Sequence, residues 1–548
     1  MAIWKWPTSR NGHLEVVKFL FEHGADADIH TVSKDGWTPI NAACNNGHLE
    51  VVKFLFEHGA DADIHTVSKD GWTPINAACN NGHLEVVKFL FEHGADADIH
   101  TASNNGLTPL HAASRNGHLE LVRFLFDHGA DADIHTQREN GCTPLYIASR
   151  NGHLEVAKFL FDHGADADIH TQRENGCTPL YIASRNGHLE VVKFLFDHGA
   201  KAHIHTTTGN GWTPINAASD QGHLEVVKFL FDHGADADIH TASNNGLTPL
   251  YAASRNGHLE LVRFLFEHGA DADIHTASKD GQTPLYTASQ NGHLEVVKFL
   301  FKHGADAHMH KPANDGQTPL YAASQNGHLE VVKFLFDHGA DADIHITTKT
   351  GWAPINMASE NGHLNVVKFL FKHGADTDIH TASNSGQTSL YAASRNGHLE
   401  VVKFLFDHGA KAHIHTTTGN GWTPINAASD QGHLEVVKFL FEHGADADIH
   451  TASKDGQTPL YTASQNGHLE VVKFLFKHGA DAHMHKPAND GLTPLYSAAK
   501  NGHLGVVKFL CDHGADADIH TPMNHGLTPI NVASDQGHFE VVKILYKH

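Results

Sequence analysis

Histidine is the side chain in this sequence best suited to chemistry, and its positions repeat. The chain holds 53 histidines in 548 residues. Most fall at three places in a unit that returns every 35 residues: Gly-His (His13, His48, His83 and onward to His538), His-Gly (His58, His93) and Ile-His (His30, His65). Imidazole can ligate transition metals or exchange a proton near neutral pH. A metal fails on spacing. Copies in neighbouring units of a stack lie about 10 Å apart, too far to share an ion held at about 2.0–2.1 Å. A site would have to form inside one unit. The best placed pairs are His203/His205, His308/His310, His413/His415 and His483/His485, where His-x-His in an extended segment puts both rings on one side. No further ligand recurs beside them at a fixed spacing, so no metal and no cofactor are expected. The first two positions read as hydrogen-bonding helix caps. The third aligns with aspartates, as in Asp26, Asp28 and His30, on one face of an extended segment. A proton response remains: the sequence pI is near 6.1, inside the histidine range. Solubility or partner affinity should fall between about pH 7.5 and 6.

Arginine and tryptophan mark a second kind of chemistry, recognition. Six of the ten arginines lie between Arg115 and Arg185. Arg115, Arg150 and Arg185 recur near the end of one predicted helix, and Arg138 and Arg173 recur at turn tips. All five are expected to face one groove, where an acidic or phosphorylated partner would suit them. Trp37, Trp72, Trp212, Trp352 and Trp422 each follow a turn glycine. Eight other units put Gln, Leu or Cys there and carry a tyrosine after Thr-Pro-Leu (Thr-Ser-Leu in one), such as Tyr146. The tryptophans read as interface anchors and the tyrosines as packing. No nucleophile recurs with a positioned base and no Gly-rich loop follows a strand, so no enzyme is expected.

The elements that position these residues are legible in one unit, residues 31–65. Asp35-Gly36 closes a tight turn, because glycine accepts positive φ. Thr38-Pro39 opens a short helix, with Thr as N-cap and Pro at the first helical position. Asn46-Gly47 ends it in the left-handed conformation. A second helix runs from His48 to His58, with Leu49, Val52, Leu55 and Phe56 as its apolar face, and closes at Gly59. The stretch Ala60–His65 is expected to be extended.

With these motifs in view (D-G-x-T-P-L, A-A-S-x-N-G-H-L-E-V-V-K and H-G-A-D), the chain resembles the ankyrin repeat family over essentially its whole length. The resemblance implies an all-α solenoid of hairpin-helix-helix units, with partners held along the hairpins and first helices. Two departures stand out. The unit exceeds the usual 33 residues by two, which predicts longer hairpin fingers. The family's His after T-P-L is present only as His111, so its hydrogen bonds must be replaced or lost elsewhere. Residues 1–30 read as an incomplete first repeat behind Trp4, Trp6 and Pro7. Residues 31–548 read as one continuous array of about fifteen units, the last truncated. Neither end resembles a polar cap, and the sequence is expected to be part of a longer product.

The formal net charge of −23 argues against nucleic acid as a partner. No run of about 18 apolar residues is present for a membrane span, and no signal-peptide core opens the chain. A soluble, intracellular, cytoplasmic protein is expected. The five cysteines read as scattered fillers, not a disulfide framework. The function these features point to is a protein–protein scaffold or adaptor of unknown oligomeric state. The alternative is a spacer whose length matters more than its groove; a metal or proton buffer is a third reading. One weak place is predicted at 350–395, where Ala353 replaces the Thr cap and Ser389 replaces the helix-opening Pro.

Overall fold

The computed structural model describes residues 9–25, 29–138, 140–522 and 526–548. Trp4, Trp6, Pro7, Asp26 and Asp28 lie outside them. The chain forms two compact units, Met1–Thr276 and Ala277–His548. The sequence period crosses that division unbroken. Among the described residues each unit is helical, without a strand, and is built from stacked helix pairs.

The pair Pro74–Asn81 and Leu84–Glu92 represents the first unit. Thr73 has extended backbone, and its Oγ1 accepts from the Asn76 N–H at 3.2 Å. Pro74 occupies the first turn, where no N–H is needed. Gly82 ends the helix at φ 79°. The second helix buries Val86, Val87 and Leu90. At its end the His93 Nδ1–H donates to the Phe89 carbonyl, 2.7 Å away, and Gly94 turns the chain at φ 109°. The pair Pro319–Gln325 and Leu329–Asp337 repeats these features in the second unit.

Stacking differs between the two layers. First helices are lined with small buried residues, such as Ala77, Ala78 and Cys79 against Ala112, Ala113 and Ser114, so neighbouring backbones approach closely. Second helices meet through larger rings. Phe56 is only half-buried. It lies edge-on to Phe89 of the next repeat at 5.5 Å and to His93 at 4.9 Å. The predicted apolar face therefore needs revising. Val51, Val52 and Leu55 form the core contact, whereas Phe56 spends its ring on the neighbouring repeat.

The Ala60–His65 stretch also departs from expectation. Ala62–His65 is a 3-10 helix. The Asp63 carbonyl accepts from both the N–H and the hydroxyl of Thr66, at 3.1 and 2.7 Å, which winds the segment. The two extra residues of the period thus feed a helical turn and do not lengthen the hairpin.

Candidate partner-binding surface

The hairpin tips are small and tied together. In the repeat that opens at Thr66, Ser68 N–H donates to the Trp72 carbonyl and Gly71 N–H to Ser68, both at 2.9 Å. Ser68 Oγ accepts from the Trp72 N–H at 3.1 Å. This is a three-residue loop with glycine in the left-handed position. Most tips then bond to the next. Asn104 N–H donates to the Asp70 carbonyl at 2.9 Å, and Asn104 Nδ2 to the Lys69 carbonyl at 2.7 Å. A Cβ on Gly71 would lie 2.5 Å from Asn104 Oδ1, so the glycine serves the stacking as well as the turn.

Beside these tips, Trp37, Trp72, Trp212 and Trp422 are half-buried. Trp212 lines a cleft of about 260 Å³ with Tyr181, Arg185 and Asp220. Trp37 lines one of about 580 Å³ with Arg10, Asp35 and Asn45. Trp352 is the exception among the expected anchors, being 4 % exposed. Met357 stands where most units have a smaller residue and lines the same cleft, of about 420 Å³, with Glu360, whose carboxyl is held above its usual range by burial. All eight tyrosines after the Thr cap are buried. Tyr286 donates to Gln317 Oε1 at 3.0 Å, and Tyr461 accepts from Ser497 Oγ at 2.9 Å.

The arginines are positioned by backbone bonds between repeats. The Arg115 carbonyl accepts from Asn151 Nδ2 at 2.7 Å and His153 Nε2 at 3.0 Å. The Arg150 carbonyl accepts in the same way from Asn186 and His188. These bonds leave the Arg115, Arg150 and Arg185 side chains exposed. At the tips, Arg138 Nε donates to the Asn105 carbonyl and Arg173 Nε to Asn140, both at 3.0 Å, and Arg173 lies over the Tyr146 ring at 5.6 Å. Burial, with Arg115, Arg150 and Arg173 close by, lowers the Arg138 pKa. Arg138 is thus within electrostatic reach of Arg115, Arg150 and Arg173. Arg185 lines the Trp212 cleft together with Asp220.

The family profile described as ankyrin repeats (3 copies) matches the chain in nine overlapping stretches, from residues 8–66 to 478–548. The chain belongs to the ankyrin repeat family. No curated protein matches it. Repeats of this family generally serve protein–protein interaction and are typically non-enzymatic. No helix among the described residues is long and apolar enough to cross a membrane. All five cysteines are buried and free.

In this ankyrin-repeat chain the three histidine positions have three structural roles. The His-Gly residues cap their own second helices, as His93 does. The Gly-His residues make no cap bond to their own helices. Their Nε2 atoms instead cap the first helix of the preceding repeat, as His83 does at Asn45 O, 3.1 Å away. Burial holds His83, His223 and His328 below the ordinary pKa, against the opposing carbonyl bonds. Asn-Gly-His is one device: Asn and His both cap the previous helix, and Gly leaves room for the next repeat's ring.

The Ile-His residues correct the sequence reading most. His30 Nδ1 pairs with Asp63 Oδ2 at 2.9 Å, one repeat on. Ten such His-Asp rungs occur among the described residues, at 2.8–3.1 Å. In each 3-10 turn residues two apart diverge, so His-x-His pairs do not converge. His205 pairs forward with Asp238, and His203 pairs backward with His170. His111, the single family-type histidine, is buried between Thr108 Oγ1 at 2.8 Å and Cys142 O at 3.2 Å, and burial lowers its pKa to about 4. In the Asn units the amide replaces it: Asn76 Nδ2 donates to Thr101 O at 2.7 Å.

Proposed function

We propose that this array binds protein partners along its hairpin tips and first helices, as a scaffold or adaptor. The segment carrying Arg115, Arg138, Arg150, Arg173 and Arg185 would take an acidic or phosphorylated stretch. Trp37, Trp72, Trp212 and Trp422 would supply apolar anchors at the tips. The observation that carries this reading is the clustering of Arg138 with Arg115, Arg150 and Arg173 in a chain whose net charge is −23. Holding like charges together costs free energy that a complementary anion would recover.

Binding of fluorescent acidic and phosphorylated peptide pools to the full chain tests this. A variant with Ala at Trp37, Trp72, Trp212 and Trp422 and Glu at Arg138, Arg150, Arg173 and Arg185 should lose binding by at least tenfold while keeping its helical spectrum. Affinity of the native chain should fall as salt rises. Equal binding by the two folded proteins would refute the groove and favour the spacer reading.

A further inference from the structure

The Ile-His row carries histidine in place of aspartate at four sequence positions, His203, His308, His413 and His483, and three of these are described as His-His rungs. At His203, His413 and His483 the aspartate is replaced by a second imidazole. His170 Nδ1 lies 2.8 Å from His203 Nε2, His380 Nδ1 2.9 Å from His413 Nε2, and His450 Nδ1 2.8 Å from His483 Nε2. Ring centroids are 5.0–5.1 Å apart, tilted by 45–50°. A carboxylate fills the same place in ten other rungs, so stacking does not require the substitution.

We propose that each His-His rung is a two-nitrogen clip for a borderline divalent ion, of which Zn²⁺ is the natural case, tying consecutive repeats together. This is independent of the partner-binding reading. Orientation is the first support. His203 Nδ1 lies 3.2 Å from Thr206 Oγ1, and His413 Nδ1 3.4 Å from Thr416 Oγ1. Donation to that hydroxyl fixes the tautomer whose Nε2 lone pair faces the neighbouring ring, the outer-shell arrangement that orients metal-bound imidazoles. The exposed partner then carries its own proton on Nε2 and offers the Nδ1 lone pair. No proton is lost overall, because the neutral rung only changes tautomer.

Distance is the second support. Bonds of about 2.0–2.1 Å at a tetrahedral angle place two nitrogens roughly 3.3 Å apart. The rings need to open by about half an ångström from their present contact. Access is the third. His170, His380 and His450 are exposed and their partners half-buried, so the remaining coordination positions face water. No third His, Cys, Asp or Glu completes a cluster among the described residues. In the His-Asp rungs the carboxylates are 1–12 % exposed, which closes them to a hydrated ion. Lys201 and Lys411 precede two of the clips by two residues, and Asp481 precedes the third.

The test is calorimetric titration of the full chain with Zn²⁺, with thermal melting in parallel. The triple variant His203→Asp, His413→Asp and His483→Asp restores the residue of the other ten rungs. It should melt like the native chain without metal, bind three equivalents fewer, and show a smaller zinc-dependent rise in Tm. A second triple variant, His170→Gln, His380→Gln and His450→Gln, removes the other half of each clip and should lose the same three equivalents. His483→Asp alone should remove one equivalent. Equal zinc uptake and equal melting shifts in the native chain and both variants would overturn the proposal. So would rungs that respond to pH and not to zinc.

Discussion

Ala353→Thr should slow the local opening of residues 350–395, and the structure says by how much and through which residue. A Thr cap contributes about 1 kcal/mol, or roughly fivefold in an opening equilibrium. The missing cap is partly replaced already. Asn356 Oδ1 accepts from the Ala353 N–H at 2.9 Å, and Asn356 Nδ2 donates to Ser389 Oγ at 2.7 Å and to the Asp378 carbonyl at 3.1 Å. In a unit with the usual cap, Asn41 Oδ1 instead accepts from the Thr38 hydroxyl at 3.0 Å. The hydroxyl introduced by Ala353→Thr must compete for the same Asn356 oxygen, so the gain should be about 0.5–1 kcal/mol, roughly two- to fivefold. Ser389→Pro should do little alone. It gains about 0.4–1 kcal/mol from the unfolded state and loses the bond from Asn356, about 0.5–1.5 kcal/mol. The two unusual residues, one repeat apart in sequence, are joined by one side chain, and their effects should be non-additive by at least about 0.5 kcal/mol. Hydrogen exchange of 350–395 in the native chain, both single variants and the double variant measures all of this. Exchange in the native chain should still be faster there than at 210–250. Strict additivity, with Ser389→Pro as protective as Ala353→Thr, would refute the Asn356 relay.

Acid should destabilise the fold well before the carboxylates titrate. His83, His111, His223, His328 and His433 have folded pKa values below the ordinary one, burial being the largest cause. Below about pH 6.5 the unfolded chain binds protons that the folded one refuses, so this stability is present above that pH and lost as pH falls through it. Asp63, Asp133 and Asp343 are raised by burial and act in the opposite sense, nearer the carboxylate range. A Tm that stays flat between about pH 7.5 and 5.5 would contradict this sign. Gly152→Ala should cost roughly 2 kcal/mol, since the residue sits at φ 80° and its new Cβ would meet His188 Nδ1 at 2.5 Å. His188→Ala in the same chain should recover part of that loss. Urea unfolding of the three proteins measures it, and no recovery would mean the ring is not the obstacle.

The sequence by itself determined most of what is settled within about four residues of chain. Thr73 caps, Pro74 starts, Gly82 and Gly94 end, and His93 reaches back one turn, because each bond spans a distance that helical geometry fixes in advance. A strict period then repeats those local solutions, which is why the helix-pair architecture was legible. What the stack alone decided are the partners 33 to 38 residues away. Asp63 meets His30, Asn151 and His153 meet the Arg115 carbonyl, Phe56 meets Phe89, and Trp352 is covered while Trp212 is half open. One local error, an extended Ala60–His65, hid the rungs, since in that geometry His203 and His205 point together and away from other repeats. Seated in a 3-10 turn, the same residues face opposite neighbours. Which side chain lies across an interface depends on the rotation and spacing of one rigid repeat against the next, and no single repeat's sequence contains those quantities.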